Sequence, residues 1–213
     1  KKHVEIRDLG KIHAVSAPQI SPDGKRVVYV HTVMDFEADT YVNNLWMADV
    51  ETGKTSQFTG GRGKDKNPQW SPDGKQIMFT STPPTKEGEK KKTQIYVIDV
   101  GGGEARQLTD VEEGVDSPQW GPKGKQILFI SSVKRVDRGK SDVKVIDRLS
   151  YKFNGKGFYE NVRKHLFTVK AGDGKPKQIT KGEFDISDPN WTSDGKNIVF
   201  SSNLEPDADI VRR

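Results

Sequence analysis

Cysteine is absent from this 213-residue chain, which excludes disulfide staples and thiolate chemistry and fits a reducing compartment. Aromatic residues make up 8% and hydrophobic residues 32%, and mean hydropathy is −0.77, a lean apolar supply for a globular chain. No stretch approaches the roughly 18 apolar residues of a membrane span. The opening Lys1-Lys2-His3-Val4-Glu5 has no apolar leader core, although Lys rather than Met at position 1 allows for a segment removed upstream. A cytoplasmic location is therefore expected. Histidine is scarce too: His3, His13, His31 and His165 show neither H-E-x-x-H nor i, i+4 spacing, so no metal site and no cofactor are expected.

What the chain has in quantity is turn formers. Twenty-one glycines and 11 prolines are spread along its length, which implies many short elements joined by many turns. The formal charge is +5, and it is localised. The segment Val133–Lys164 holds ten basic and four acidic residues, a net of +6, against −1 for the remainder.

An internal repeat organises everything else. Ser21-Pro22-Asp23-Gly24-Lys25 returns fifty positions later as Ser71-Pro72-Asp73-Gly74-Lys75, and after fifty more as Gly121-Pro122-Lys123-Gly124-Lys125. A fourth copy, Thr192-Ser193-Asp194-Gly195-Lys196, follows 71 positions on, the extra length coinciding with the basic segment. Each copy has type I turn chemistry, with Gly at the fourth position and, in the first three, Pro at the second. Short strands flank it: Ala17–Ile20, Asn67–Trp70, Ser117–Trp120 and Asp188–Trp191 before, and Val27–Val30, Ile77–Thr80, Ile127–Ile130 and Ile198–Ser201 after. The second set is apolar without alternation, as for strands covered on both faces. Third strands lie at 45–50, 95–100 and 166–169, and Gln-Phe/Leu/Ile-Thr segments ending at Thr59, Thr109 and Thr180 close each unit.

Four short antiparallel strands per roughly 50 residues is the pattern of a β-propeller blade. The expected fold is all-β: three complete four-stranded blades at about 17–59, 67–109 and 117–180, and a truncated fourth at 188–213. Because a propeller protects its edges by closing a ring, the chain is expected to be part of a longer protein. Trp46, Trp70, Trp120 and Trp191, at fixed repeat positions, are expected to pack between blades.

The Trp-Ser-Pro-Asp-Gly-Lys turn, the third strand ending in Asp-Val and the Gln-Leu-Thr close resemble the WD40-like propeller repeat of the prolyl oligopeptidase family of serine peptidases. The run Val145-Ile146-Asp147-Arg148-Leu149-Ser150-Tyr151-Lys152-Phe153-Asn154-Gly155-Lys156-Gly157, followed by His165-Leu166-Phe167 and Phe184–Pro189, is similar to the third blade of the acylaminoacyl-peptidase branch. The resemblance covers nearly the whole chain. It implies a hydrolase whose α/β-hydrolase domain lies beyond this chain, with the propeller gating and filtering peptide substrates. A G-x-S-x-G elbow is absent; Gly139-Lys140-Ser141-Asp142-Val143 comes nearest and lacks the final Gly. No catalytic residue is therefore assigned here.

Other motifs have plain readings. Gly60-Gly61-Arg62-Gly63-Lys64 lacks the spacing and the Ser or Thr of a phosphate loop. The basic segment is interrupted by acids, so no nucleic acid and no membrane partner is expected. Within it, Arg148 is the candidate substrate filter, a guanidinium able to grip a peptide carboxylate bidentately, with Tyr151 beside it. A structural pairing of Arg148 with Asp147 or Asp142 is the competing role. The segment is expected to form a β-hairpin arm turning near Asn154-Gly155 and packing on the hydrolase domain or on a second copy in a homo-oligomer. A non-enzymatic, protein-binding propeller of the periplasmic Tol type uses a similar turn and is the alternative.

Overall fold

The computed structural model describes residues 3, 5–61, 63–83, 92–134, 152–153, 157–158, 162–172 and 174–205. A short 3-10 helix, Ile6–Lys11, precedes a succession of antiparallel sheets. The first sheet contains β1 (Ala14–Ile20), β2 (Arg26–Asp35), β3 (Thr40–Asp49) and β4 (Thr55–Gln57), side by side in chain order. The second repeats this with β5 (Lys66–Trp70), β6 (Gln76–Ser81), β7 (Gln94–Asp99) and β8 (Arg106–Gln107). The third begins with β9 (Asp116–Trp120) and β10 (Gln126–Lys134). A separate two-stranded hairpin, β11 (Lys152–Phe153) and β12 (Gly157–Phe158), intervenes before β13 (Val162–Lys170) and β14 (Lys177–Gln178) complete that sheet. A last pair, β15 (Ile186–Trp191) and β16 (Ile198–Ser202), forms the fourth sheet.

The repeated turn is held by its own side chains. Ser21 Oγ donates to Asp23 Oδ1 at 2.6 Å and accepts the Arg26 N–H at 2.9 Å, while Asp23 Oδ1 accepts the Lys25 N–H at 3.1 Å. Gly24 N–H closes onto the Ser21 carbonyl at 2.9 Å with φ of +72°, the left-handed region that glycine enters without a Cβ penalty. Ser71 with Asp73, and Thr192 with Asp194, repeat the set. Hydroxyl donation first, and then the backbone N–H, hold Asp23, Asp73 and Asp194 below the ordinary carboxylate range.

Two details go beyond the sequence expectation. Pro18, Pro68, Pro118 and Pro189 sit inside the first strands, each after a residue of positive φ: Ala17 (48°), Asn67 (51°), Ser117 (48°) and Asp188 (50°). The register slips there, between Ser16 and Gln19 in β1 and likewise in β5, β9 and β15. A bulge leaves one residue unpaired, which is where a residue without an N–H does least harm to a ladder. The fourth strands also stop early, at Gln57, Gln107 and Gln178.

The threonine beyond each of them turns inward as a cap instead. Thr59, Thr109 and Thr180 Oγ1 accept the N–H of Leu45, Ile95 and Leu166 at 2.9, 2.9 and 3.0 Å. The glutamine two places earlier donates through Nε2 to the threonine carbonyl at 2.7 to 2.8 Å. Thr109 is buried and also donates to Gln94 Oε1 at 2.8 Å. Thr109→Val therefore strands the buried Ile95 N–H and leaves Gln94 Oε1 with the Val111 N–H as its donor, and it is expected to lower unfolding free energy by about 1–3 kcal/mol. Urea unfolding at constant m-value checks this, and Thr180→Val, at a half-buried position, is expected to cost less.

The core lies between sheets. Val28, Val30 and Leu45 of the first face Trp70, Ile77, Phe79 and Ile98 of the second. Met78, Ile95, Val97 and Leu108 face Ile127, Phe129, Val169 and Ala171 of the third. Leu128, Ile130 and Leu166 meet Ile186 of the fourth, with Phe184, Trp191 and Ile198 packed around them. Strands β6 and β10 are accordingly buried on both faces.

The tryptophans confirm that packing with one exception. Trp70 and Trp120 reach the preceding sheet and donate Nε1–H to the Gln19 and Gln69 carbonyls at 2.9 and 3.2 Å. Trp46 instead lies on the outer face of the first sheet against the His31 ring, 5.0 Å between centroids. No second sheet packs on that face among the described residues.

Candidate functional site

Consecutive antiparallel strands sort the connections onto two opposite ends. One end carries the β2–β3 turn, the β10–β13 connection and the links between sheets; the other carries the four Ser-Pro-Asp-Gly-type turns. Between them β1, β5 and β9 surround a shared opening of about 680 Å³, lined by Gln19, Gln69, Gln119, Trp70 and Trp120.

The basic segment leaves from the first of these ends. Strands β10 and β13 pair without slip from Gln126↔Lys170 to Lys134↔Val162, and Leu166 stands opposite Ile130 as Ile95 does opposite Thr80. The insertion therefore grows from the tip of a two-stranded ribbon and leaves the repeat in phase. Within it β11 and β12 pair antiparallel, Lys152 with Phe158 and Phe153 with Gly157. Arg148 and Tyr151, together with the expected turn at Asn154-Gly155, lie outside the described residues.

The root of the arm is braced by charge. The Arg163 guanidinium is bonded to Asp185 at 3.2 Å and Glu183 at 3.4 Å, and its side chain is 13% exposed. Asp185 also accepts the Lys164 N–H at 2.9 Å. Lys164 pairs with Asp116 at 3.5 Å, Lys92 with Glu113 at 3.2 Å, and Lys134 with Glu112. Exposed pairs are worth about 0–1 kcal/mol each; those of Arg163, Lys164 and Lys134 tie the ends of β10 and β13 to the links between sheets. Arg163, being committed to two carboxylates, is a positioning residue. Nothing in the motif pattern singled it out, because its partners lie some twenty residues away in the link to the next sheet.

His165 is buried at this root, with Nδ1 3.3 Å from Thr180 Oγ1 and its ring edge-on to Phe184. Burial lowers its proton affinity. Thr180 is the strand cap that Thr59 and Thr109 are elsewhere, so this contact is architecture rather than a nucleophile and its base. Among the described residues no three His, Asp or Glu side chains gather as a metal site, and no helix is long and apolar enough to cross a membrane.

Four-stranded sheets stacked face to face around a common opening define the β-propeller class. The family model for the TolB beta propeller domain matches residues 6–155, and the chain belongs to that family. An uncharacterized peptidase of Bacillus subtilis (strain 168), YuxL, is 34% identical over 208 residues, 96% of this chain and 32% of the relative. The chain thus spans about a third of the length of this curated relative. The acylaminoacyl peptidase of Pyrococcus horikoshii superposes with a TM-score of 0.72 at 24% identity, over 96% of this chain and 30% of that one. TolB from Acinetobacter baumannii superposes with a TM-score of 0.54 at 21% identity, over 88% and 37%. The chain is thus similar over nearly all of its length to a curated peptidase and shares its fold with part of a peptidase of known structure.

Proposed function

We propose that this chain is the N-terminal part of the propeller of an acylaminoacyl-peptidase-like serine peptidase, three blades and the start of a fourth, which gates and filters peptide substrates for an α/β-hydrolase domain elsewhere in the same cytoplasmic protein. The observation carrying this reading is the alignment with YuxL, which takes up nearly all of this chain but only 32% of the relative. The rest of such a protein has room for the G-x-S-x-G elbow that this sequence lacks. The insertion supports it by its charge: in this reading the basic segment, which leaves β10 at the end of the propeller bearing the longest connections, meets a neighbouring domain and an anionic peptide terminus. Arg148 grips that terminus in this reading, and Tyr151 flanks it.

The full-length protein is expected to hydrolyse acyl-peptide substrates and to be labelled by a serine-directed fluorophosphonate. Arg148→Ala is expected to lower kcat/KM for peptides with a free carboxylate terminus by roughly 10- to 150-fold, the equivalent of about 1.5–3 kcal/mol for a charge-assisted hydrogen bond, and to spare uncharged esters. Equal loss on both substrate classes makes Arg148 structural. Absence of both labelling and hydrolysis overturns the peptidase reading. A protein-binding propeller of the periplasmic Tol type then takes its place, favoured by the family to which the chain belongs and requiring an export signal upstream of Lys1.

A further inference from the structure

The end of the propeller opposite the arm departs from its own repeat at one place. In the first sheet the turn carries Asp23 and the end of the third strand carries Asp49; in the second sheet the same positions are Asp73 and Asp99. The register identifies the pairs, since Arg26 stands opposite Asp49, Gln76 opposite Asp99, and Gln126 opposite Lys170. In the third sheet both acids have become lysines, Lys123 and Lys170. Two substitutions 47 positions apart in sequence thus reverse the charge of one spot from −2 to +2. Lys125 adjoins them, as Lys25 and Lys75 do in the sister turns.

Other changes accompany the reversal. Gly121 replaces the serine that caps the sister turns, and a Cβ there would stand 3.6 Å from the Trp191 indole and 3.1 Å from the Gln126 carbonyl. The missing side chain leaves a cleft of about 350 Å³ lined by Lys123, Lys125, Lys170, Gln126, Pro122 and Trp191, within the size range of small-molecule sites. Trp70 and Trp120 give their indole N–H groups to the preceding sheet, whereas Trp191 Nε1 is buried with no acceptor among the described residues. None of the three lysines has an ion-pair partner among the described residues. Asp194 in the next turn is within electrostatic reach of Lys123, so the three lysines lining the cleft outnumber the carboxylate set against them among the described residues.

We propose that this cleft between the third and fourth sheets binds a small polyanion of the phosphate class, its charge held by Lys123, Lys125 and Lys170 and its flat or apolar remainder resting on Trp191 and Pro122. Three cationic side chains lining one cleft, two from the turn before β10 and one from the end of β13, suit a tetrahedral, multiply charged group, and an indole face suits an attached ring. The site is independent of the arm, on the other end of the propeller, and does not require the peptidase reading.

Calorimetric titration of the full-length protein with inorganic pyrophosphate at low ionic strength tests it. Saturable binding with Kd below about 1 mM is expected, near −4 kcal/mol, weakening as salt screens the lysines. Lys123→Asp and Lys170→Asp, which restore the residues of the sister sheets and so keep the local fold, are each expected to weaken binding at least about tenfold. Lys75→Gln, on the second sheet's turn, is expected to leave it unchanged. Adenosine diphosphate binding more tightly than pyrophosphate, with quenched tryptophan emission, assigns the ring to Trp191; equal affinity assigns recognition to the lysines alone. Lack of saturation by about 10 mM, or a loss in Lys75→Gln equal to that in Lys123→Asp, overturns the proposal.

Discussion

Phe129→Ala is expected to lower the free energy of unfolding by about 3–5 kcal/mol, the cost of a large-to-small change at a fully buried aromatic. Phe129 is 0% exposed and lies in the cluster between the second and third sheets, against Met78, Ile95 and Val97. Its ring stacks on Phe167 at a centroid distance of 5.5 Å. The strand that carries it is hydrogen-bonded on both sides, to β9 and to β13, so the backbone cannot move in to fill the void, and the cavity persists. Phe200 occupies the same repeat position in the fourth sheet but is 37% exposed, so Phe200→Ala is expected to cost about 1 kcal/mol. Urea unfolding of the two variants beside the parent checks both, and a similar loss in each would show that sheet-to-sheet burial does not set the stability of the repeat.

The second large effect is expected at Asp65, in the link between the first and second sheets. Its carboxylate is 5% exposed and accepts two short hydrogen bonds, from Thr59 Oγ1 and from Ser81 Oγ, both 2.6 Å. Thr59 is at the same time the cap on the Leu45 N–H, so Asp65 ties the close of the first sheet to the end of β6. No cation faces it among the described residues, and burial raises its pKa above the ordinary 3.8 in spite of the two hydroxyls. The folded state then holds a proton more tightly than the unfolded chain does. The contribution of Asp65 is fullest below the ordinary value and declines as pH climbs through the raised one. The exposed turn residues Asp23, Asp73 and Asp194, held low, behave oppositely: their contribution is present above 3.8 and is lost as pH falls. Asp65→Ala leaves two buried hydroxyls without an acceptor and is expected to cost about 2–3 kcal/mol at pH 6. Asp65→Asn keeps partners for both, is expected to stay within about 1 kcal/mol of the parent, and flattens the decline of stability from acid toward neutral pH. An Asn variant that retains the parent's slope assigns the titration to another group.

Much of the fold was legible because its determinants are local. Ser-Pro-Asp-Gly specifies a turn within four residues, and the third-strand and closing motifs recur at fixed offsets from it, so unit length, strand order and the site of the insertion followed from spacing alone. The details that spacing did not reveal are those where one residue serves another element. The prolines occupy bulges, since the left-handed residue before each is set by pairing with β2, β6, β10 and β16. The closing threonines are caps on the third strand rather than the last rungs of a fourth.

The sequence by itself determined the periodic architecture, the position of the basic arm and the absence of a nucleophile elbow, because each is a matter of residue type at a short, countable separation. Only the tertiary structure decided which periodic tryptophans found an acceptor, that Trp46 lies on an outer face, that Arg163 is already spent on Asp185 and Glu183, that Asp65 is buried on two hydroxyls, and that Lys123 and Lys170 share a cleft. Each of these depends on which residues stand opposite one another across a ladder or between stacked sheets. Those distances are set by register and packing, to which separation along the chain is no guide.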